Sequence, residues 1–138
     1  AAALDDLLAG RWQKLVWNVP FNGLAVLLGA RTDELVSDPS TRRLVVRLME
    51  EVVAAAEATG HPTPPDVVDK MLANTEAMVP YAPSMVLDHE AGRPLELEAI
   101  YEVPLAAATA AGASMPATEV LLDALRFIDR RNRVGDDR

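Results

Sequence analysis

KLVWNVPFNG, residues 14–23, reads as helix: its apolar residues Leu15, Val16, Trp17, Val19 and Phe21 are interrupted by Lys14, Asn18 and Asn22 at strict four-residue steps. A helix advances about 100° per residue, so each step of four drifts by only about 40° and the three polar side chains share one narrow stripe. Asparagine costs roughly a few tenths of a kcal/mol in a helix interior. An amide or ammonium group shut away from water without a partner costs about 2 kcal/mol or more. The stripe therefore faces water or lines a polar cavity, and spacing alone does not choose.

Outward from this stretch, the same 3.6-residue periodicity recurs almost everywhere, and no segment shows the alternation of a half-buried strand. The chain is predicted to be all-α, a compact bundle of six or seven helices forming one domain over residues 1–138. The first long helix starts at Leu4 or Arg11 and runs to Leu28 with a bend near Pro20; Gly29 stops it. A short helix begins at Thr32, and a second long one spans Pro39 to Thr59 with Leu44, Val45, Leu48, Val52, Val53 and Ala56 as its apolar face. A third runs from Asp66 to Met78, with Val67, Val68, Met71, Leu72 and Met78 as core candidates. After the prolines at 80 and 83, a short helix spans Ser84 to Glu90, and another follows Pro94 through Ala111 with Pro104 inside it. The last begins near Pro116 and carries Val120, Leu121, Leu122, Leu125, Phe127 and Ile128; its tail, RRNRVGDDR, is expected to fray.

Composition narrows the functions available. The 138 residues carry a formal charge of -8, which argues against a chain that tracks nucleic acid or an anionic membrane surface. No cysteine is present, and His61 and His89 are too scattered to suggest a metal site. Every apolar run is interrupted well short of the roughly 20 residues a membrane span needs. AAALDDLLAG has acids where a secretory leader has bases, so a soluble, cytoplasmic protein is expected.

Eleven of the 13 basic residues are arginine, which sets Lys14 apart. A lysine ammonium can give up its proton in a chemical step, whereas a guanidinium is effectively locked in its charged form. Snorkelling from a helix flank is the ordinary alternative for Lys14. Ser84 follows Pro83 at a helix start, where capping is the ordinary role. Glu96 and Glu98 open the helix after Pro94, where acids are favoured whatever the function. A solvated helix position is the expectation for His89.

Taken together, KLVWNVPFN, the serine of SMVLD and, twelve residues after Ser84, the glutamate of GRPLELEAI resemble the C-terminal domain of the ketopantoate reductase (2-dehydropantoate 2-reductase) family, in the same order and over essentially the whole chain. The resemblance implies a helical domain similar to the C-terminal domain of 6-phosphogluconate dehydrogenase. It would work with an N-terminal Rossmann domain, in cis or in trans, that binds NADPH and is absent from this chain. It further implies reduction of 2-dehydropantoate, or a related branched 2-oxo acid, in pantothenate biosynthesis. Lys14 would be the general acid, Asn18, Asn22 and Ser84 the substrate's hydrogen-bonding partners, and Glu96 a residue beside the cofactor. Thr32 stands where the family has a substrate-binding asparagine, and Tyr101 and Glu102 stand where many members carry asparagine and glycine, so a helix contact is expected to differ there. Alone, without a G-x-G-x-x-G turn, the chain is expected to be inactive and to self-associate, as a homodimer, through the surface its partner domain would cover. The alternative reading is a non-catalytic helical dimerisation module derived from the same family.

Overall fold

The computed structural model describes residues 2–136, and all regular structure among them is helical. In chain order the elements are α1 (Ala2–Leu28), α2 (Thr32–Ser37), α3 (Pro39–Ala58), α4 (Val67–Ala77), α5 (Ser84–Glu90), a π-helical turn (Glu98–Glu102) leading into α6 (Val103–Ala110), and α7 (Pro116–Asp136). The all-α bundle expected from periodicity is what forms. No described helix is long and apolar enough to cross a membrane, and no cluster of acidic and histidine side chains among the described residues could hold a metal ion.

α1 is the axis of the bundle. It packs along α3 and also touches α2, α4, α5, α7 and the π turn. Its residues up to Leu7 are exposed, while Val16, Val19 and Phe21 are sealed completely. Burying each such side chain contributes about 1.5–3 kcal/mol, so this middle segment anchors the helix. α1 remains one helix across Pro20 and ends at Gly29, whose φ of 60° lies in the left-handed region.

Carboxylates close the starts of α3 and α7. The Asp38 carboxylate accepts from the backbone N–H groups of Ser40 and Thr41, both at 3.0 Å, and caps α3. Glu51, on α3, reaches across to the start of α7, where its two oxygens accept from the Ala117 and Thr118 N–H groups at 2.8 Å. A carboxylate there satisfies free donors and meets the positive end of the helix.

Several expectations from the sequence need correction. Leu44, Val120 and Phe127 are exposed, because the apolar arc of α3 and α7 is wider than the stripe the bundle can cover. Leu44 and Val120 flank an apolar groove of about 360 Å³ that also includes Leu24, Leu27 and Leu121. Phe127 stays outside, with the Arg131 guanidinium 5.2 Å from its ring centroid. Pro104 lies, as expected, inside a continuous helical run, and what the sequence did not show is the π turn just before it. Pro104 has no N–H to offer the carbonyl of Ile100, and the wider π turn falls at that place. The last helix does not fray at Arg130 but continues to Asp136, helped by an Arg133–Asp129 ion pair at 3.2 Å; the final two residues of the tail lie outside the described residues.

Candidate functional site

Lys14 and Asn18, one turn apart on α1, line a groove of about 370 Å³ against α4, together with Trp17, Met71, Asn74, Thr75 and Met78. The Trp17 indole N–H donates to Thr75 Oγ1 at 3.1 Å, and the Thr75 hydroxyl donates to the Met71 carbonyl at 2.7 Å. Trp17 also stacks with Phe21, centroids 4.8 Å apart, and with Tyr81, 5.9 Å apart and nearly coplanar in orientation at 6°. These contacts give the groove a fixed aromatic wall and hold the segment before α5 against α1.

The polar stripe is graded from solvent to interior. Lys14 is exposed, Asn18 is half-buried, and Asn22 is only 3 % exposed. Asn22 Oδ1 accepts the Met85 N–H at 3.1 Å, and its amide nitrogen donates to Asn18 Oδ1 at 3.4 Å. Asn22 therefore ties the first turn of α5 to α1 and orients Asn18, leaving the Asn18 amide N–H groups available to a ligand. Lys14 forms no ion pair among the described residues, whereas the other lysine, Lys70, pairs with Asp66 at 3.1 Å.

Ser84 is the first residue of α5 and is exposed; the capping position belongs to Pro83, which makes no side-chain cap. The ordinary reason for a serine here is thus removed. Glu96 is exposed in the segment between Gly92 and Leu97, between the buried Leu95 and Leu97. α7 fixes this segment: Asp129 Oδ1 accepts the Leu95 N–H at 3.0 Å, and the Asn132 amide donates to the His89 carbonyl at 3.1 Å. Lys14 and Asn18 thus share one groove, Asn22 joins them to the start of α5 at Ser84, and neither Ser84 nor Glu96 lines the groove itself.

Tyr101, where the resemblance led to the expectation of an altered helix contact, packs directly on α1. The side chain is fully buried on the π turn, and its hydroxyl donates to the Val19 carbonyl of α1 at 2.6 Å, with the Gly23 amide beside the same oxygen. Burial pushes the phenol well above its ordinary pKa. A Cβ at Gly23 would lie 2.3 Å from the Tyr101 oxygen and 2.7 Å from a Leu121 methyl, so only glycine fits. Thr32, which the resemblance puts at the place of a substrate-binding asparagine, is completely buried, its Oγ1 has no hydrogen-bond partner among the described residues, and it does not line the groove.

Sequence reasoning missed the opposite wall. Met71 and Met78 were expected only as core residues, and Asn74 and Thr75 were not singled out, although an asparagine beside a threonine within a helix is a signal of the same kind as Asn18 and Asn22.

Comparison with known proteins places this geometry. Residues 6–129 match the family model of the ketopantoate reductase PanE/ApbA C terminal. The 2-dehydropantoate 2-reductase of Nostoc sp. is 50 % identical over 132 residues, which is 96 % of this chain and 41 % of that protein. Among solved structures, 2-dehydropantoate 2-reductase from Methylococcus capsulatus superposes with a TM-score of 0.85 at 38 % identity, covering 90 % of this chain and 40 % of that one. The enzyme from Geobacter metallireducens gives 0.83 at 45 %, covering 87 % and 40 %. The chain spans about two fifths of the length of these relatives.

Proposed function

The chain belongs to the ketopantoate reductase C-terminal family, and from that premise we propose that it is the substrate-binding and catalytic half of a cytoplasmic reductase that converts 2-dehydropantoate, or a close branched 2-oxo acid, to the 2-hydroxy acid. The observation that carries the reading is the pairing of an unengaged Lys14 with Asn18 on one groove, backed by the Asn22 tie to α5.

Asn18 and Ser84 hold the acid's carboxylate, and Asn22 fixes both in place through its two hydrogen bonds. NADPH, which an N-terminal Rossmann domain would mainly hold in the whole enzyme, would supply the hydride for C2 of the substrate. The described residues contain no strand and so no strand-to-helix glycine turn to cradle a pyrophosphate; Glu96 is the side chain of this chain assigned beside the cofactor. As C2 is reduced, the carbonyl electron pair moves onto oxygen. The Lys14 ammonium gives that oxygen a proton, leaving a neutral amine that solvent reprotonates. Charge develops on oxygen only as hydride arrives, so the ammonium stabilises the transition state more than the bound ketone.

The exposed edge at Leu44 and Val120 favours a second reading, a helical association module, but such a module has no use for Lys14, Asn18 and Ser84. The test is oxidation of NADPH by the full-length protein with 2-dehydropantoate. Absence of turnover, or a Lys14→Ala enzyme within a few-fold of the parent, removes the catalytic reading. Sedimentation of the isolated domain as a monomer at high concentration removes the association reading.

A further inference from the structure

α7 carries a short polar stripe that lies away from the groove. Leu125, Asp129 and Asn132 follow one another at steps of four and three, which places them on one face of the helix. Leu125 is fully buried and Asp129 is only 8 % exposed. A carboxylate so enclosed is costly unless it is bonded, and both of its oxygens are: Oδ1 accepts the Leu95 N–H at 3.0 Å, and Oδ2 pairs with the Arg133 guanidinium at 3.2 Å. Asn132 donates to the His89 carbonyl at 3.1 Å. The two side chains thus hold the end of α5 and the segment after it, the stretch that carries Glu96.

That segment is shaped to show one side chain. The Leu97 N–H donates to the Leu95 carbonyl at 2.9 Å, which makes a three-residue turn with Glu96 at its apex. No non-glycine residue among those described has a positive φ, so the turn is the inverse, unstrained kind. Leu95 and Leu97 are buried on either side, and Glu96 alone stays exposed. With both neighbours anchored in the core and the Leu95 N–H held by Asp129, the backbone of Glu96 has one orientation.

On the reading given under Proposed function, which puts Glu96 beside the cofactor, we infer that Asp129 is a positioning residue for Glu96: from α7 it fixes the turn that presents the Glu96 carboxylate to the dinucleotide, while Asn132 steadies the same connection at the end of α5. A carboxylate on a swinging loop would have to be ordered at every binding event, a cost that a turn held in advance avoids.

The experiment measures the NADPH dissociation constant of the full-length protein, by nucleotide fluorescence, for Glu96→Ala, Asp129→Ala, Asp129→Asn and the Glu96→Ala/Asp129→Ala double variant. Glu96→Ala should weaken binding about tenfold, a typical loss for one hydrogen bond to a charged group. Asp129→Ala should weaken it about fivefold while KM for 2-dehydropantoate stays within about twofold of the parent. Asp129→Asn should bring affinity back to within about twofold of the parent, because its amide oxygen still accepts the Leu95 N–H. In the double variant the Asp129 change should add almost nothing to the loss from Glu96→Ala, since a residue that acts through Glu96 has nothing left to act on. Additive losses overturn the inference, as does an Asp129→Ala protein that binds NADPH like the parent while Glu96→Ala does not. Amide hydrogen exchange of the parent needs no variant: the Leu95 N–H should exchange more than about tenfold slower than in an unstructured chain, and faster exchange overturns the brace. A Glu96→Ala protein that binds NADPH like the parent overturns the cofactor assignment of Glu96 and this inference with it, whereas the other adverse results overturn the inference alone.

Discussion

Two neighbouring faces of α1, about 100° apart, solve opposite problems. On one face Lys14, Asn18 and Asn22 form a polar stripe that leaves the Lys14 ammonium and the Asn18 amide N–H groups without a protein partner among the described residues; on the other, Val19 and Gly23 press so closely on Tyr101 that its hydroxyl bonds directly to the α1 backbone. The open face keeps donors free and contributes little to stability. The closed face leaves nothing free and fixes where the stripe points. A helix can therefore present polar groups on a surface that packing does not hold, provided a neighbouring surface is held tightly.

Separate substitutions on the two faces test this division. The largest effect is expected at Lys14→Ala in the full-length enzyme, a loss of about 10² to 10⁴ in kcat, the usual scale for a general acid. Its melting temperature should hardly move, because the side chain is exposed and unpaired. Lys14→Arg should recover little, since a guanidinium keeps its proton. A melting temperature that falls with kcat would show that the open face is structural after all.

On the closed face the order reverses. Gly23→Ala should destabilise the domain by about 1–3 kcal/mol through overpacking against Tyr101 and Leu121, measured by denaturant unfolding. Tyr101→Phe should cost about 1 kcal/mol by removing a buried hydrogen bond, the Val19 carbonyl keeping its place in the helical ladder of α1. The double variant should be less damaging than the sum, because removing the hydroxyl makes room for the new methyl. Strict additivity would break the account of the contact.

Titration gives a sharper check on the same residue. The folded phenol is raised above its ordinary value, so the unfolded chain ionises first, near pH 10. The native state keeps its full advantage below that pH and loses it as pH rises further. Thermal melts between pH 8 and 11 should show that loss in the parent and a shallower one in Tyr101→Phe. The smallest effect is expected away from α1: Glu51→Gln, which keeps an acceptor but removes the charge at the start of α7, should cost about 0.5–1 kcal/mol.

What could be read in the sequence follows from how each residue signals. Helix identity was legible because periodicity survives burial, and Gly29 and Gly60 marked two ends that the backbone keeps at positive φ. Lys14, Asn18 and Asn22 were legible because polar groups in an apolar helix are conspicuous. Their different exposure was not, since four-residue spacing says nothing about which neighbouring helix covers the lower end; α5 does so through Met85. Asn74 and Thr75 were hidden because α4 is polar enough to excuse them. The outward placement of Val120 and Phe127 escaped for a related reason: α7 alternates apolar and charged residues so closely that its buried arc cannot be told from its apolar arc without its neighbours.

The close approach of Tyr101 to Gly23 also makes a statement about descent. Two positions separated by 78 residues share one small volume, so neither can change freely while the other stays put. Among related reductases, a tyrosine at the position of Tyr101 should accompany glycine at the position of Gly23, and lineages with a bulkier residue at the second should carry a smaller one at the first. The mutational route between the two pairings passes through its safer step by shrinking the tyrosine before filling the glycine, since the reverse order places a methyl where an oxygen already stands.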